Sequence, residues 1–252
     1  MPARYLPLRD IIAALRKHYG KPEPLPSTDA FELVLFENVS YLTTQEKRRA
    51  AFALLRQTIG TEPAALLRAT RAQLERVTSH GILKAKFADK LRTCAHIALD
   101  EFGGDLNAGL GQSATQAQRA LRRFPGIGAP GADRILLLSG RRTNLAPESN
   151  GLRVLARLGV IADDASYARL YKAGNAAGAS LPQTIASLRA AHHLLQQHGQ
   201  TLCRISAPQC SECPLQRRCT YAATARLQVK AARSADVPRR RKSMDTARRR
   251  RA

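Results

Sequence analysis

Residues 121–150, LRRFPGIGAPGADRILLLSGRRTNLAPESN, contain a sharp turn between two stretches whose apolar residues recur at helical spacing. Pro125 ends the first stretch, because the residue before a proline is disfavoured in helical geometry. Gly126 and Gly128 permit positive φ angles and a close approach of the backbone to a partner. The second helix is predicted to start near Pro130, since the N–H that proline lacks has no partner in a first turn.

This turn is a candidate anion site. A glycine turn that leads into a helix N-terminus presents free amides to an anion, and the helix dipole favours negative charge there. The amides around Gly126, Ile127, Gly128 and Gly131 are therefore candidates to bind a nucleic-acid phosphate. An ordinary αα-hairpin with a Pro-Gly turn is the alternative.

The charge of the chain points to a polyanionic partner. The 252 residues carry a formal net charge of +22, of which +9 follows residue 220, so +13 lies on the body of the protein. A body this basic favours DNA or RNA as the partner, through counterion release. The basic end, 223–252, is predicted to be disordered and to add non-specific affinity for nucleic acid, and a flexible end without function is the alternative.

Almost every segment has helical periodicity and none alternates as a strand does, so we expect an all-α protein. No apolar run approaches the roughly 20 residues that a membrane span needs, and the first residues do not resemble a signal peptide. We therefore expect a cytoplasmic protein, nucleoid-associated if bacterial, that is a monomer and has no membrane partner. The helical patterns cover 8–19, 29–42, 44–58, 62–69, 71–79, 84–101, 113–124, 130–139, 148–158, 164–176 and 182–199.

Four of the five cysteines lie close together. Cys203, Cys210, Cys213 and Cys219 are separated by six, two and five residues, whereas Cys94 lies alone in a helical pattern and is interpreted as a core residue. Four thiolates in a compact loop can hold Zn²⁺ or an iron–sulfur cluster, and the spacing by itself leaves the metal open.

A helix–hairpin–helix followed about seventy-five residues later by cysteines at this spacing resembles the endonuclease III family of DNA glycosylases. The sequence Cys-Ser-x-Cys-Pro-Leu, from Cys210, is similar to the adenine DNA glycosylase branch. The resemblance covers about residues 25–222 and implies a [4Fe–4S] cluster on the four cysteines. It also implies that the loop arginines Arg204, Arg217 and Arg218 are candidates to contact double-stranded DNA, damaged or mismatched.

The resemblance implies a fold of two helical domains with DNA across the cleft between them and the target nucleotide flipped out of the duplex. The helical barrel with the hairpin would be 28–133. The cluster domain would be 134–222, with the N-terminal helix of 1–27 packed on it.

The positions that carry catalysis in the family are altered here. The family lysine that forms a Schiff base follows the hairpin, and Pro130 stands at that position, so this chemistry is excluded there. The family aspartate corresponds to Glu148, followed by Asn150, where a carboxylate can stabilise an oxocarbenium ion or activate water. A helix N-cap at Ser149, with Glu148 near the helix dipole, is the structural alternative.

Two further residues correspond to family positions in the first long apolar segment. Glu37 stands where adenine glycosylases carry the glutamate that protonates the purine, although a solvent-facing position is the alternative. Leu42 replaces a glutamine that family members insert into the duplex, and a leucine can act as a wedge between bases or as a core residue.

The sequence thus predicts a base-excision-repair glycosylase without the usual lyase activity, directed at a purine or a damaged purine. A glycosylase scaffold that binds damaged or bent DNA without chemistry is the second hypothesis. A zinc-stabilised RNA-binding helical protein is the third.

Overall fold

The structure, a computed structural model, describes residues 6–41, 43–111 and 113–224. The described residues form α-helices joined by short turns and contain no strand, so the all-α expectation is confirmed. The helices are α1 (Leu8–Tyr19), α2 (Ala30–Asn38), α3 (Gln45–Thr58), α4 (Pro63–Arg68), α5 (Arg71–Thr78), α6 (Lys84–Phe102), α7 (Leu106–Gly109), α8 (Ala114–Leu121), α9 (Ala129–Leu138), α10 (Ser149–Arg157), α11 (Tyr167–Ala177) and α12 (Ile185–Thr201).

The helices differ most from the sequence prediction in two places. Helix α2 ends at Asn38 rather than at residue 42, and the Asn38 amide donates to the carbonyl of Val34 within its last turn. The short helix α7 lies between the predicted helical stretches 84–101 and 113–124, and the Asp105 side chain caps it by accepting from the N–H of Ala108. Leu42 and the tail residues 225–252 lie outside the described residues.

Two hydrophobic cores organise the described chain. The first is formed by α2 to α9 and contains Leu35, Leu91, Cys94 and Phe124, all nearly or completely buried. The second is formed by α1, α10 and α12 with their connections, and contains Ile11, Leu15, Leu155 and Leu195 among others.

Helix α9 belongs to both cores. Leu136 and Leu138 pack in the first core, whereas Leu137 packs in the second. Because α9 directly follows the hairpin, the position of the hairpin is fixed by the packing of both cores.

The hairpin turn has one glycine with a positive φ rather than two. Gly126 has φ +76, and a Cβ there would lie 3.3 Å from Oδ1 of Asn38 and 3.4 Å from Nζ of Lys90. Gly128 is the N-cap of α9 with φ −84, which any residue can adopt. The expectation of a positive φ at Gly128 was therefore wrong.

Helix α12 packs closely along α10. A Cβ on Gly199 would lie 2.6 Å from the carbonyl oxygen of Asn150, so only glycine allows this approach. Helix α12 also carries His192 and His193, whose rings pack edge to face with 5.4 Å between their centroids. None of the helices in the described ranges is long and apolar enough to cross a membrane.

The two adjacent histidines of α12 should make stability depend on pH. Burial lowers the pKa of His192 to about 4 and that of His193 to about 3, so the folded protein takes up these protons later than the unfolded chain does. The free energy of unfolding is therefore highest above pH 6.5. It falls as the pH falls, by about 2 kcal/mol for each histidine at pH 5, because the unfolded chain binds the protons first. Urea unfolding at pH 7.5 and pH 5 measures the difference.

His193→Gln should reduce this difference between the two pH values, whatever it does to stability at pH 7.5. His96 lies exposed on α6, so His96→Gln is the matched control and should leave the difference unchanged. An unchanged difference in His193→Gln would contradict the assignment.

Candidate active site and cysteine loop

A cavity of about 620 Å³ opens between the helices of the two cores, and Glu37 and Glu148 both line it. Its volume lies within the range of about 300–1,000 Å³ that is usual for ligand sites. Helix α2 supplies Glu37, α9 supplies Arg134, the start of α10 supplies Glu148 and Asn150, and α12 supplies His192.

Glu148 is the N-cap of α10. Its Oε1 accepts the N–H of Gly151 at 3.0 Å and its Oε2 accepts Nδ2 of Asn150 at 2.8 Å. The cap is therefore Glu148 and not Ser149, which was the alternative from the sequence. Asn150 is held in turn by Arg153, whose guanidinium donates to its Oδ1 at 2.7 Å. Capping and contact with the cavity occur together, because the bonds that cap the helix also fix the carboxylate at the cavity wall.

The segment before Glu148 is fixed by close contacts. Ala146 has a positive φ of 43, and its N–H donates to Oδ1 of Asn175 at 3.0 Å. A Cβ on Gly178 would lie 2.6 Å from Cβ of Leu145, so α11 and its continuation lie directly against this segment. Such strain at a non-glycine residue persists where its surroundings determine the backbone.

Glu37 is an ion-paired carboxylate. Arg134 donates to it from Nε at 2.9 Å and from Nη2 at 2.6 Å, and Nη1 of Arg48 lies 3.6 Å away. Burial acts to raise the pKa of Glu37, but the charges of Arg134 and Arg48 outweigh burial and hold its pKa below the usual value. Glu37 is thus ionised at neutral pH, and the proton-donor role expected for it does not fit this geometry.

Arg134 is the functional candidate that sequence reasoning missed. It lies four residues after Pro130, hence on the same face of α9, and its charge interacts with Glu148 as well as with Glu37. That spacing was the signal that could have found it. An arginine stays protonated and offers no nucleophilic amine, so it does not replace the missing lysine chemically.

The hairpin presents free amides at the start of α9. Within the described chain, the N–H groups of Gly128, Ala129 and Gly131 have no hydrogen-bond acceptor. Ile127 differs, because its side chain is buried and its N–H donates to the carbonyl of Phe124 at 3.2 Å. Ile127 therefore holds the turn from inside and offers no free donor.

A second exposed feature lies next to Tyr41, which lines the cavity. Ile82 and Leu83 are 50% and 54% exposed, and Leu83 has the left-handed conformation, with φ 58. The N–H of Ile82 donates to the carbonyl of Tyr41, and the Tyr41 ring stacks on Phe87 at 5.3 Å. Neither Ile82 nor Leu83 was a candidate site residue in the sequence prediction.

The four cysteines of the loop line one small cavity together with side chains of α10 and α12. Nη1 of Arg157 lies 3.5 Å from Sγ of Cys203, and Nε2 of His198 lies 3.6 Å from Sγ of Cys213. Burial raises the pKa of Cys213 to about 11. The loop arginines Arg204, Arg217 and Arg218 are exposed.

In the part of the chain that the structure describes, no three His, Cys, Asp or Glu side chains are placed to hold a single metal ion. Zinc bound by thiolates needs all four sulfurs at about 2.3 Å from one ion, whereas a four-iron cluster accepts sulfurs spread around its cube. Four thiols around one cavity are a donor set that an iron–sulfur cluster can use.

No protein-family model matches the chain. It is 24% identical over 211 residues to "Putative DNA repair glycosylase MJ1434" of Methanocaldococcus jannaschii, covering 83% of this chain and 94% of that protein. It is 25% identical over 197 residues to endonuclease III of Sulfolobus acidocaldarius, covering 77% of this chain and 82% of that protein.

Solved structures agree in fold. A non-covalent endonuclease III–DNA complex superposes with a TM-score of 0.71 at 19% identity, covering 87% of this chain and 97% of that one. A trapped covalent endonuclease III–DNA intermediate gives 0.69 at 19% identity, covering 88% and 99%. A thermostable thymine-DNA glycosylase gives 0.68 at 14% identity, covering 86% and 97%. The chain therefore has the helix–hairpin–helix DNA glycosylase fold, and its resemblance to the endonuclease III family is confirmed.

Proposed function

We propose that the protein is a DNA glycosylase that removes a base from damaged or mismatched double-stranded DNA without Schiff-base lyase chemistry. The observation that carries the proposal is a fixed carboxylate, Glu148, at the wall of a cavity large enough for a flipped base. No lysine is among the described residues that line this cavity, and Pro130 stands at the position of the family lysine.

Glu148 would act on the sugar. When the bond between sugar and base breaks, positive charge develops on the sugar ring, and a fixed carboxylate stabilises it without reorganisation. Oε2 accepts from Asn150 and, at 3.4 Å, from Oγ of Ser149, whereas Oε1 accepts from Gly151 and keeps a second lone pair. Glu148 can therefore cap α10 and still face the sugar or an attacking water.

The hairpin would bind a phosphate beside the flipped nucleotide. The free amides of Gly128, Ala129 and Gly131 lie at a helix N-terminus. Nζ of Lys90 lies next to the turn, because Gly126 has no side chain in its way. Lys90 also lies over the Phe87 ring, with Nζ 4.3 Å from its centroid, so its position is restricted.

Ile82 and Leu83 would fill the space that the flipped nucleotide leaves. Two exposed apolar side chains on a strained turn that is bonded to Tyr41, a residue of the cavity wall, suit a wedge between base pairs. Leu42, the wedge expected from the sequence, remains a proposal beside them. Arg204, Arg217 and Arg218 would extend the contact with the DNA backbone from the cysteine loop.

The cysteine loop would hold a [4Fe–4S] cluster through Cys203, Cys210, Cys213 and Cys219. The cluster would be structural, since it would connect the loop to α10 and α12 and thereby place the loop arginines. Bound iron would keep the sulfurs as thiolates, and burial alone disfavours the thiolate at Cys213 and Cys219 by raising their pKa values.

One observation favours the scaffold without chemistry. Both oxygens of Glu148 are engaged inside the protein, as in a purely structural helix cap. The first experiment below separates the two hypotheses.

Glu148→Gln should abolish base release and keep DNA binding. The amide cannot stabilise a cationic sugar, and we expect a loss of at least about 10²-fold in the single-turnover rate. Release is measured on lesion-bearing duplexes cleaved at abasic sites with hot alkali. Wild-type protein that binds these duplexes but releases no base would establish the scaffold hypothesis instead.

Lys90→Gln should weaken binding to all duplexes alike. Loss of one phosphate contact should reduce the slope of log K against log salt by about 1. Lys17 is exposed on α1, outside the proposed interface, so Lys17→Gln is the control. Equal slopes for the two variants would remove Lys90 from the interface.

Purified protein should contain about four iron atoms per chain and absorb visible light, as a thiolate-bound cluster does. Cys213→Ser should lose iron and visible colour and unfold at a lower temperature, whereas Cys94→Ser should keep its iron. One zinc per chain without visible absorption would contradict the cluster.

A further inference from the structure

His198 lies between the cysteine loop and the N-terminal helix. Its side chain belongs to α12, is 2% exposed and lines the small cavity that the four loop cysteines share. Its Nε2 lies 3.6 Å from Sγ of Cys213, and its Nδ1 lies 2.9 Å from the hydroxyl oxygen of Tyr19, the last residue of α1. One buried ring thus connects the loop to a helix that is about 180 residues away in the chain.

The ring is held in place from two sides. Gly199, the next residue of α12, packs so closely on α10 that a Cβ there would lie 2.6 Å from the carbonyl oxygen of Asn150. On the other side the ring of Tyr19 packs against that of His198, with 5.9 Å between centroids and 65° between planes. His198 therefore presents its Nε2 to Cys213 from a fixed position.

The two partners decide which ring nitrogen carries the proton. Burial favours the neutral ring, because a buried charge without a partner is costly, and a neutral imidazole has one N–H and one bare nitrogen. A thiolate that binds iron only accepts hydrogen bonds, so Nε2 donates to Cys213 when the loop holds iron. Nδ1 is then bare, and the hydroxyl of Tyr19 can donate to it.

The proton of Tyr19 is available for this bond. Oγ1 of Thr201 lies 2.9 Å from the hydroxyl oxygen of Tyr19 and 2.9 Å from the carbonyl oxygen of Gln197. The hydroxyl of Thr201 can turn its own proton towards Tyr19. The contact between the two hydroxyl groups therefore does not require the proton of Tyr19.

We propose that His198 tunes the reduction potential of the proposed cluster by donating from Nε2 to Sγ of Cys213, and that Tyr19 holds His198 in the tautomer that does so. A hydrogen bond withdraws electron density from a ligating sulfur, which favours the reduced cluster and raises its potential. His198 and Tyr19 are positioning residues, because His198 acts through Cys213 and Tyr19 acts through His198. The inference rests on the proposed cluster.

His198→Leu should lower the reduction potential of the cluster, because it removes the donor to Cys213 and keeps an apolar side chain in the core. His198→Gln can place an amide N–H near the position of Nε2, so its potential should stay closer to that of the wild type. Thr201→Val removes a neighbouring hydroxyl but leaves the bond from Tyr19 to His198, so it is the matched control and should leave the potential unchanged. Protein-film voltammetry on full-length protein, with samples matched for iron content, measures these potentials.

Tyr19→Phe keeps the aromatic ring and removes only the hydroxyl. Without that donor, part of the population of His198 takes the other tautomer, so the potential should fall by less than in His198→Leu. If His198→Leu does not retain iron, the comparison of Tyr19→Phe with Thr201→Val decides.

The possible failures are distinguishable. An iron-loaded His198→Leu with the potential of the wild type would overturn the inference and leave the cluster in place. A potential in His198→Gln as low as in His198→Leu would assign the effect to packing and refute the hydrogen bond, and an unchanged potential in Tyr19→Phe would refute the role of Tyr19. Wild-type protein without iron would overturn the cluster, and this inference with it.

Discussion

The shared packing of α9 is the constraint on which the rest of the molecule depends. Consecutive leucines of this helix enter different cores, Leu136 and Leu138 in one and Leu137 in the other. Asp133, also on α9, is buried and accepts from Gln118, Arg142 and Tyr171, which ties α8 and α11 to the same helix. The hairpin and the cavity therefore keep a fixed relation, because both are built on one element that neither core can move alone.

The pair of Glu37 and Arg134 sets the electrostatics of the cavity. A buried ion pair contributes little net stability, but removing one partner leaves an unpaired buried charge, which costs roughly 3–5 kcal/mol. The pair joins α2 to α9, 97 residues apart in the chain. The pair thus connects two walls of the cavity, and it also sets the charges that a ligand contacts there.

Much of this fold follows from local sequence. The helices were predictable because their apolar residues recur with helical period. The cysteine spacing predicts a metal or cluster site and the glycine turn predicts an anion site, and neither prediction needs the fold. The end of α2, the pairing of Glu37 and the extended backbone of Gly128 were not predictable, since each depends on a residue distant in sequence or on the path of the whole loop. Arg134 was predictable only in part. Its spacing from Pro130 could be read from the sequence, whereas its ion pair with Glu37 could not.

Helix α10 connects the two ends of the proposed chemistry. Glu148 caps its start, and Arg157 at its end donates to the carbonyl oxygens of Cys203, Arg204 and Ile205. Nine helical residues span about 14 Å and do not compress, so a displacement of the loop moves the carboxylate as well. The cysteine loop and the wall of the cavity are therefore mechanically linked through one short helix, so that a change in the conformation of the loop is transmitted to Glu148.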